Sequence, residues 1–450
     1  MPERRVVVVG TTADYIDIIN KRWPRRALFV TAARERADAR EAAPDRSDEV
    51  LVDLTRPDEV EGALVSHLSR HDLQPSGIVA FDCESMALAA RLAARFNLPY
   101  PSLDAIQLTR SKHASKARWR EKGVPCPAVA LVREEAEAES FLAEVGRPIV
   151  LKPLTGSGSE LTFQCSDADT CRIAFRQLKS GMAARAGSRM YDRWSHTSIE
   201  LDPREIFTAE EFVDGPEYSA DFIVQGDDVT VVRVAQKIRR PAPPFGITLA
   251  YLLPGELPAG LTPEILGRYF RDAAHGLGLT CALCMVDFIV CDSAPVFIEL
   301  TPRPGGDCLP PLIRRCCGLD MLRLALDFAE SDPLRIPAPG GWERLVGVRL
   351  FARESGIISR LDTERIIADP CVVECYLKRR PGDRVTLPPE NYDSWSLGHV
   401  IFRPTLQDIA AQCAEITTKL EVVMEADHDR NVHGVHTADR RIAPAADPAS

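Results

Sequence analysis

No run of 18 apolar residues occurs anywhere in the chain, so no stretch reads as a membrane-spanning helix and no membrane partner is expected. No cluster of Lys and Arg is long enough to offset a formal net charge of -10 and a pI near 5.5, which argues against a nucleic-acid partner. A cysteine framework is also missing. The 13 cysteines are odd in number and scattered through apolar segments, as expected in a reducing cytosol, and most read as small core hydrophobes. Cys281-Ala-Leu-Cys284 has the spacing of a zinc-ligand pair, but no second pair or His pair accompanies it. The G-x-G-x-x-G dinucleotide fingerprint is absent after Gly10, and there is no internal repeat. The opening M-P-E-R-R-V-V-V-V-G is too short in its apolar part for a signal peptide and is expected to be the first buried strand of a cytoplasmic protein.

What remains is globular composition. The 450 residues are 45% hydrophobic and 27% charged, enough for two or three domains, each with its own core. Strand-like runs at Arg5 to Val9, Ala27 to Thr31, Glu49 to Leu54 and Gly77 to Phe81 alternate with amphipathic stretches such as Met86 to Phe96. That alternation predicts a parallel, Rossmann-like sheet over residues 1–108 with no nucleotide of its own. A basic helix from Ser111 to Lys122 opens a second, hairpin-rich region, 109–335. Residues 340–425 read as a separate small α+β block with a helix from Thr405 to Leu420. The tail 426–450, with His428, His433 and His436, has no apolar period and is expected to be disordered.

Three elements carry chemistry. The first is C-M-V-D-F-I-V-C-D-S-A-P-V-F-I-E-L, read as a hairpin with the loop Asp292-Ser293-Ala294, which sets Asp287 opposite Glu299 on one face. Two facing carboxylates repel unless a divalent cation lies between them or a nearby Arg303 or Lys pairs one of them. The second is the strand Arg147 to Lys152, ending in a lysine and followed by Thr155-Gly156-Ser157-Gly158-Ser159, whose backbone N–H groups and point charge suit phosphate oxygens. The third is Ala209-Glu-Glu-Phe-Val-Asp-Gly-Pro-Glu217, an extended edge able to read an adenine ring, with a carboxylate beyond it for ribose hydroxyls.

In this order the elements resemble the ATP-grasp superfamily, and within it the carboxylate–amine ligases that include the L-amino acid ligases. The most specific sign is the carboxylate pair followed by Pro302-Arg303-Pro304-Gly305-Gly306. The resemblance implies an α/β and α+β multidomain ATP-grasp fold with an N-terminal Rossmann-like domain and a small C-terminal α+β subdomain. It implies Lys112 and Lys152 on the ATP phosphates, with Gly156, Ser157 and Gly158 as the loop closing over them. Glu210 and Val213 would form the adenine hinge and Glu217 would bind ribose. Asp287, Glu299 and Thr301 would hold two Mg²⁺ ions, or Mn²⁺ in their place, and Arg303 would meet the carboxylate or acyl-phosphate. Lys237, in Q-K-I-R-R with Arg239 and Arg240, would add positive charge near the transferred phosphoryl group, the alternative being a surface-exposed basic strand end. The implied reaction joins a small-molecule carboxylate to an amine through an acyl-phosphate, in an enzyme that forms a homodimer in many relatives. An ATP-dependent carboxylase of the biotin carboxylase type and an ATP-binding module without turnover are the alternatives. The chain departs from the family at Thr301, where Asn is usual, and at Ile247 to Tyr251, where the amino acid ligases carry Glu and His near the amino substrate.

Overall fold

The computed structural model describes residues 2–195 and 200–425. The expected disordered tail, with its three histidines, lies outside the described residues.

The valine run of the first strand, Glu3–Val9, is buried from Val6 to Val9 and forms the middle of a four-stranded sheet. Its neighbours are Ala27–Ala32, then Glu49–Val52, on one side and Leu73–Val79 on the other, all parallel. The third strand stops two residues short of the expected Leu54, and the fourth begins at Leu73 rather than Gly77. The fourth strand takes in Pro75 because a register shift lets Arg5 face Pro75 and Val6 face Gly77, so Ser76 is the irregular residue. Helix Pro57–Arg70 begins on a proline with Asp58 and Glu59 in its first turn. Helix Met86–Phe96, as read from its period, ends at Asn97 in the left-handed conformation, φ 54°.

The basic helix runs Lys112–Glu121 and is capped by Ser111, whose hydroxyl accepts from the Ala114 N–H. A small antiparallel sheet follows, ordered Val129–Val132, Phe207–Glu211, Ile149–Pro153, Phe163–Cys165, with helices Glu135–Val145 and Ala168–Ala183 packed on it. The Lys112 N–H donates to the Leu154 carbonyl, at 2.9 Å, and ties the basic helix to the end of that sheet.

The largest sheet has eight strands, antiparallel throughout. Their order is Ala294–Thr301, Cys281–Cys291, Glu217–Gln225, Asp228–Arg239, Thr248–Leu253, Leu345–Phe351, Ser396–Phe402, Val372–Leu377. The block expected to stand apart from residue 340 onward therefore shares a hydrogen-bonded sheet with the central region, through Ala250 opposite Val348 and Leu252 opposite Val346. The last helix is Ile409–Thr418, shorter than expected because Asp408 caps it, its side chain accepting from the Ala411 N–H. Among the described residues no helix is long and apolar enough to cross a membrane.

The carboxylate hairpin carries a second correction. Its turn is the two-residue Asp292-Ser293, with φ of 49° and 64°, the left-handed pair of a tight hairpin, not the three-residue loop expected. A two-residue turn alone would put Asp287 opposite Ile298. Instead the register shifts after Phe288 opposite Phe297, Ile298 becomes a bulge, and Asp287 faces Glu299 as expected.

Candidate active site

A cavity of about 130 Å³ opens between the small sheet and the large one. It is lined by Lys112, Lys152, Gly156, Ser157, Glu210, Val213, Glu217, Lys237, Asp287 and Glu299, ten of the residues singled out in the sequence. The alternation of each strand brings them together. Lys152 lies opposite Thr208, two residues from Glu210, while Asp287 faces Glu299 on one side and Ser219 on the other.

Charges are interleaved. Glu210 lies between two lysines, 2.9 Å from Lys116 Nζ and 2.7 Å from Lys152 Nζ. Burial alone would raise Glu210, but the two lysines hold its carboxyl below the usual range. Lys116 is wholly buried, which pushes its ammonium down to about 8 against the pull of Glu210. It also donates to the Ile298 carbonyl at 2.6 Å, at the bulge of the hairpin. Lys116 was missed in the sequence, where it is one of several basic residues on a helix and nothing marks it as the one facing inward.

Asp287 and Glu299 differ. Burial raises Asp287 despite Lys237 Nζ at 2.9 Å from its oxygen. For Glu299 burial is outweighed by Lys112, at 3.7 Å, and by Lys152, Lys116 and Arg303, so its carboxyl is lowered. Lys237 also pairs with Glu217, whose other oxygen accepts from Arg239 Nε at 2.9 Å. Burial opposes the charge on Lys237, but Asp287 and Glu217 win and raise it.

This donor set fits a hard divalent cation. Among the described residues no cage of three or more His, Cys, Asp or Glu side chains forms, so a cation here takes two carboxylates in register and completes its shell with water and phosphate oxygens, as Mg²⁺ prefers. Asp287 and Glu299 are the residues that would hold it. Thr301 is buried opposite Met285 and does not line the cavity.

The lining also has an apolar part, Val150, Phe212, Val213, Phe245, Ile289 and Ile298, of a kind that suits a flat ring. Phe212 and Phe245 have ring centroids 6.2 Å apart. Phe245 carried no sequence signal beyond its Pro-Pro-Phe-Gly loop. The Glu210 side chain, expected at an adenine hinge, turns to the lysines, while Val213 lines the cavity. The Gly/Ser loop is latched at both ends: Lys112 Nζ donates to the Gly156 carbonyl at 2.7 Å, and Ser159 Oγ to the Gly246 carbonyl at 2.7 Å. Gly158 does not line the cavity.

Arg303 lies outside it too. Its Nε is 3.2 Å from Cys83 Sγ of the N-terminal domain, and Nη1 donates to the Pro304 carbonyl. It lines a second cavity of about 60 Å³ with Tyr100, Leu283 and Phe328. The loop that carries it is held from beneath by a fully buried pair. Arg233 Nε donates to Asp221 at 2.7 Å, and the other Asp221 oxygen accepts from the Gly305 N–H at 2.8 Å.

Residues 145–311 match the family model of the ATP-grasp domain. That segment, a little over a third of the chain, is an ATP-grasp domain. The chain is 27% identical over 347 residues to the uncharacterised protein y4rH of Sinorhizobium fredii, a match covering 76% of this chain and 66% of that one. It is 27% identical over 306 residues to carnosine synthase 1 of Mus musculus, covering 65% of this chain and 35% of the synthase. The matched stretch thus spans just under two thirds of the first relative and about a third of the second. The ATP-grasp fold extends over nearly the whole chain. The crystal structure of an L-amino acid ligase from Bacillus licheniformis superposes with a TM-score of 0.72 at 17% identity, covering 94% of this chain and all of the ligase.

Proposed function

We propose that this ATP-grasp chain is an ATP-dependent carboxylate–amine ligase. The observation that carries the reading is that Asp287 and Glu299, paired in register, open into the same cavity as Lys112 and Lys152, whose lining also has an apolar part. That is a place for a nucleotide whose base lies on the apolar part and whose phosphates meet the lysines. The similarity to carnosine synthase supports C–N bond formation as the outcome.

In the proposed reaction a substrate carboxylate oxygen attacks the γ-phosphorus of ATP, the bond to the β-phosphate oxygen breaks, and ADP leaves. An amine then attacks the acyl-phosphate carbon, the C–N bond forms, phosphate departs with the bonding pair, and the amine gives up a proton. Bound Mg²⁺, held by Asp287 and Glu299, supplies charge neutralisation for the phosphate oxygens. Lys112 and Lys152 offset charge on the transferring group, and Lys237 keeps Asp287 and Glu217 aligned on their strands. Gly156 and Ser157 offer backbone donors over the phosphates. No side-chain nucleophile is needed, so the protein's work is positioning and charge.

The test is phosphate release with Mg²⁺ and ATP across a matrix of carboxylates and amines, with bicarbonate as a separate acceptor and Glu299→Gln as the blank. Release that requires both an acid and an amine supports the ligase. Dependence on bicarbonate alone assigns the chain to carboxylation, and nucleotide binding without release for any acceptor assigns it to binding without turnover.

A further inference from the structure

The Gly/Ser loop that lines the cavity has an unfavourable backbone. Gly156, Gly158, Ser159 and Leu161 all lie in the left-handed region, at φ 128°, 66°, 60° and 51°, and the last two carry side chains. Such a run persists only where its surroundings fix it. The bonds from Lys112 to Gly156 and from Ser159 to Gly246 supply two of the holds. The others come from the turn Arg189–Tyr191 and from Arg185 just before it.

Thr155 Oγ1, at the start of the loop, donates to the Met190 carbonyl at 2.9 Å. At the other end the Glu160 carboxylate accepts from two donors, the Tyr191 hydroxyl and Arg185 Nε, the latter at 2.6 Å. Burial and the charge of Glu160 raise the Tyr191 hydroxyl above its ordinary value, so it stays a donor. Leu161 is fully buried against Gly181, where a Cβ would stand 2.6 Å from it. Glu160 itself lines the cavity. An acid in that position opposes phosphate binding unless a cation meets its charge, and Arg185 meets it.

The same support reaches beyond the loop. Arg189 Nη2 donates to Ser85 Oγ of the N-terminal domain at 3.0 Å. Arg185 uses all three of its nitrogens: Nε on Glu160, Nη1 on the Gly181 carbonyl at 2.8 Å, and Nη2 on the Pro389 and Glu390 carbonyls at 3.1 and 3.3 Å. Its guanidinium also lies 6.0 Å from the centroid of the Tyr392 ring, and Tyr392 packs on two cores, one shared by the small sheet and the N-terminal domain, the other that of the C-terminal block. One guanidinium thus joins the loop over the cavity to residues 389–392. Phosphoryl transfer by itself asks for no such joint.

Resting on the reading that this cavity takes Mg²⁺ and ATP, we propose that Glu160 is a positioning residue for the nucleotide phosphates and that Arg185 couples the loop it holds to the segment 385–395. With Glu160 seated on its two donors, the loop keeps its backbone N–H groups toward the phosphates. With Arg185 seated as well, a nucleotide that fixes the loop also fixes that segment of the C-terminal block. The coupling is reciprocal, so whatever orders the segment tightens nucleotide binding.

The experiment is hydrogen exchange of the full chain, read by mass spectrometry with and without Mg²⁺ and β,γ-imido-ATP, beside calorimetric titration with the same analogue. In the wild type the analogue should slow exchange about tenfold or more at 155–162 and at 385–395. Arg185→Lys keeps a cation beside Glu160 but has one nitrogen where the guanidinium has three, so protection should remain at 155–162 and be lost at 385–395. Glu160→Gln should weaken analogue binding about tenfold or more, with the nucleotide-free protein melting close to the wild type. Absence of protection at 385–395 in the wild type, or the same protection in Arg185→Lys, overturns the coupling. Unchanged analogue affinity in Glu160→Gln makes the cluster structural and overturns the positioning role, and the Arg185→Lys comparison still decides the coupling if Glu160→Gln fails to fold. Absence of analogue binding by the wild type removes the nucleotide reading itself and this proposal with it.

Discussion

Asp287 and Glu299 face each other across a hairpin whose turn is one residue too short to align them, and the bulge at Ile298 supplies the missing residue. The same bulge offers its carbonyl to buried Lys116, so the backbone irregularity and the ion network hold each other in place. Glu299→Gln preserves shape and hydrogen-bonding capacity but removes one of the two cation-holding charges. Phosphate release should fall by about a thousandfold or more with little change in melting temperature, measured by steady-state kinetics beside thermal unfolding.

Lys237 balances two acids at once, Asp287 and Glu217. Lys237→Met should leave both under-compensated and destabilise the protein by about 3–5 kcal/mol. Saturating Mg²⁺ with a nucleotide should restore more of the melting temperature in this variant than in the wild type, because a bound cation replaces the lost ammonium beside Asp287.

Lys116 gives a pH signature. Its folded-state value of about 8 lies below the ordinary 10.5, so between those values the unfolded chain holds a proton that the folded chain has released. Stability from this group therefore rises as pH increases through that window, and its cost is fully present below about 8. The stability difference between wild type and Lys116→Met, followed by denaturant unfolding from pH 7 to 10.5, should move in favour of the wild type as pH rises. A flat difference would mean the buried ammonium titrates normally.

Gly305 has no room for a side chain: a Cβ there would meet Arg233 Nη2 at 2.7 Å and Leu309 at 3.0 Å. Gly305→Ala should cost about 1–3 kcal/mol and shift the loop that carries Arg303 and Asp307. Turnover should drop far more than nucleotide affinity, which calorimetric titration with ADP can separate from kinetics.

Much of the cavity was legible because a strand's period of two is strict. The expected three-residue loop placed Asp287 and Glu299 on one face; the actual turn is a residue shorter and the Ile298 bulge restores that face, while a lysine closing an apolar strand marked Lys152. Lys116 was not legible, since a lysine at helical spacing looks the same whether it meets solvent or a buried Glu210. The direction of the Glu210 side chain likewise depends on that unseen partner. The continuity of the large sheet was hidden for a different reason. Thr248–Leu253 and Leu345–Phe351 pair across nearly a hundred intervening residues, and local patterning carries no record of so distant a partner. The Asp292-Ser293 turn shows the smaller version of this limit, where a bulge compensated a loop length that the sequence left ambiguous.

The eight-stranded sheet has a mechanical consequence. Unbroken hydrogen bonding from Glu299 to Tyr376 makes its polar face one stiff floor, so the phosphate end and the far end keep a fixed spacing as substrates arrive. Closure over a nucleotide then falls to the small sheet and its Gly/Ser loop, which meet that floor through side-chain latches such as Ser159 to Gly246. A rigid floor beneath a moving cover separates two jobs: the cover times closure, and the floor keeps Asp287 and Glu299 in register throughout.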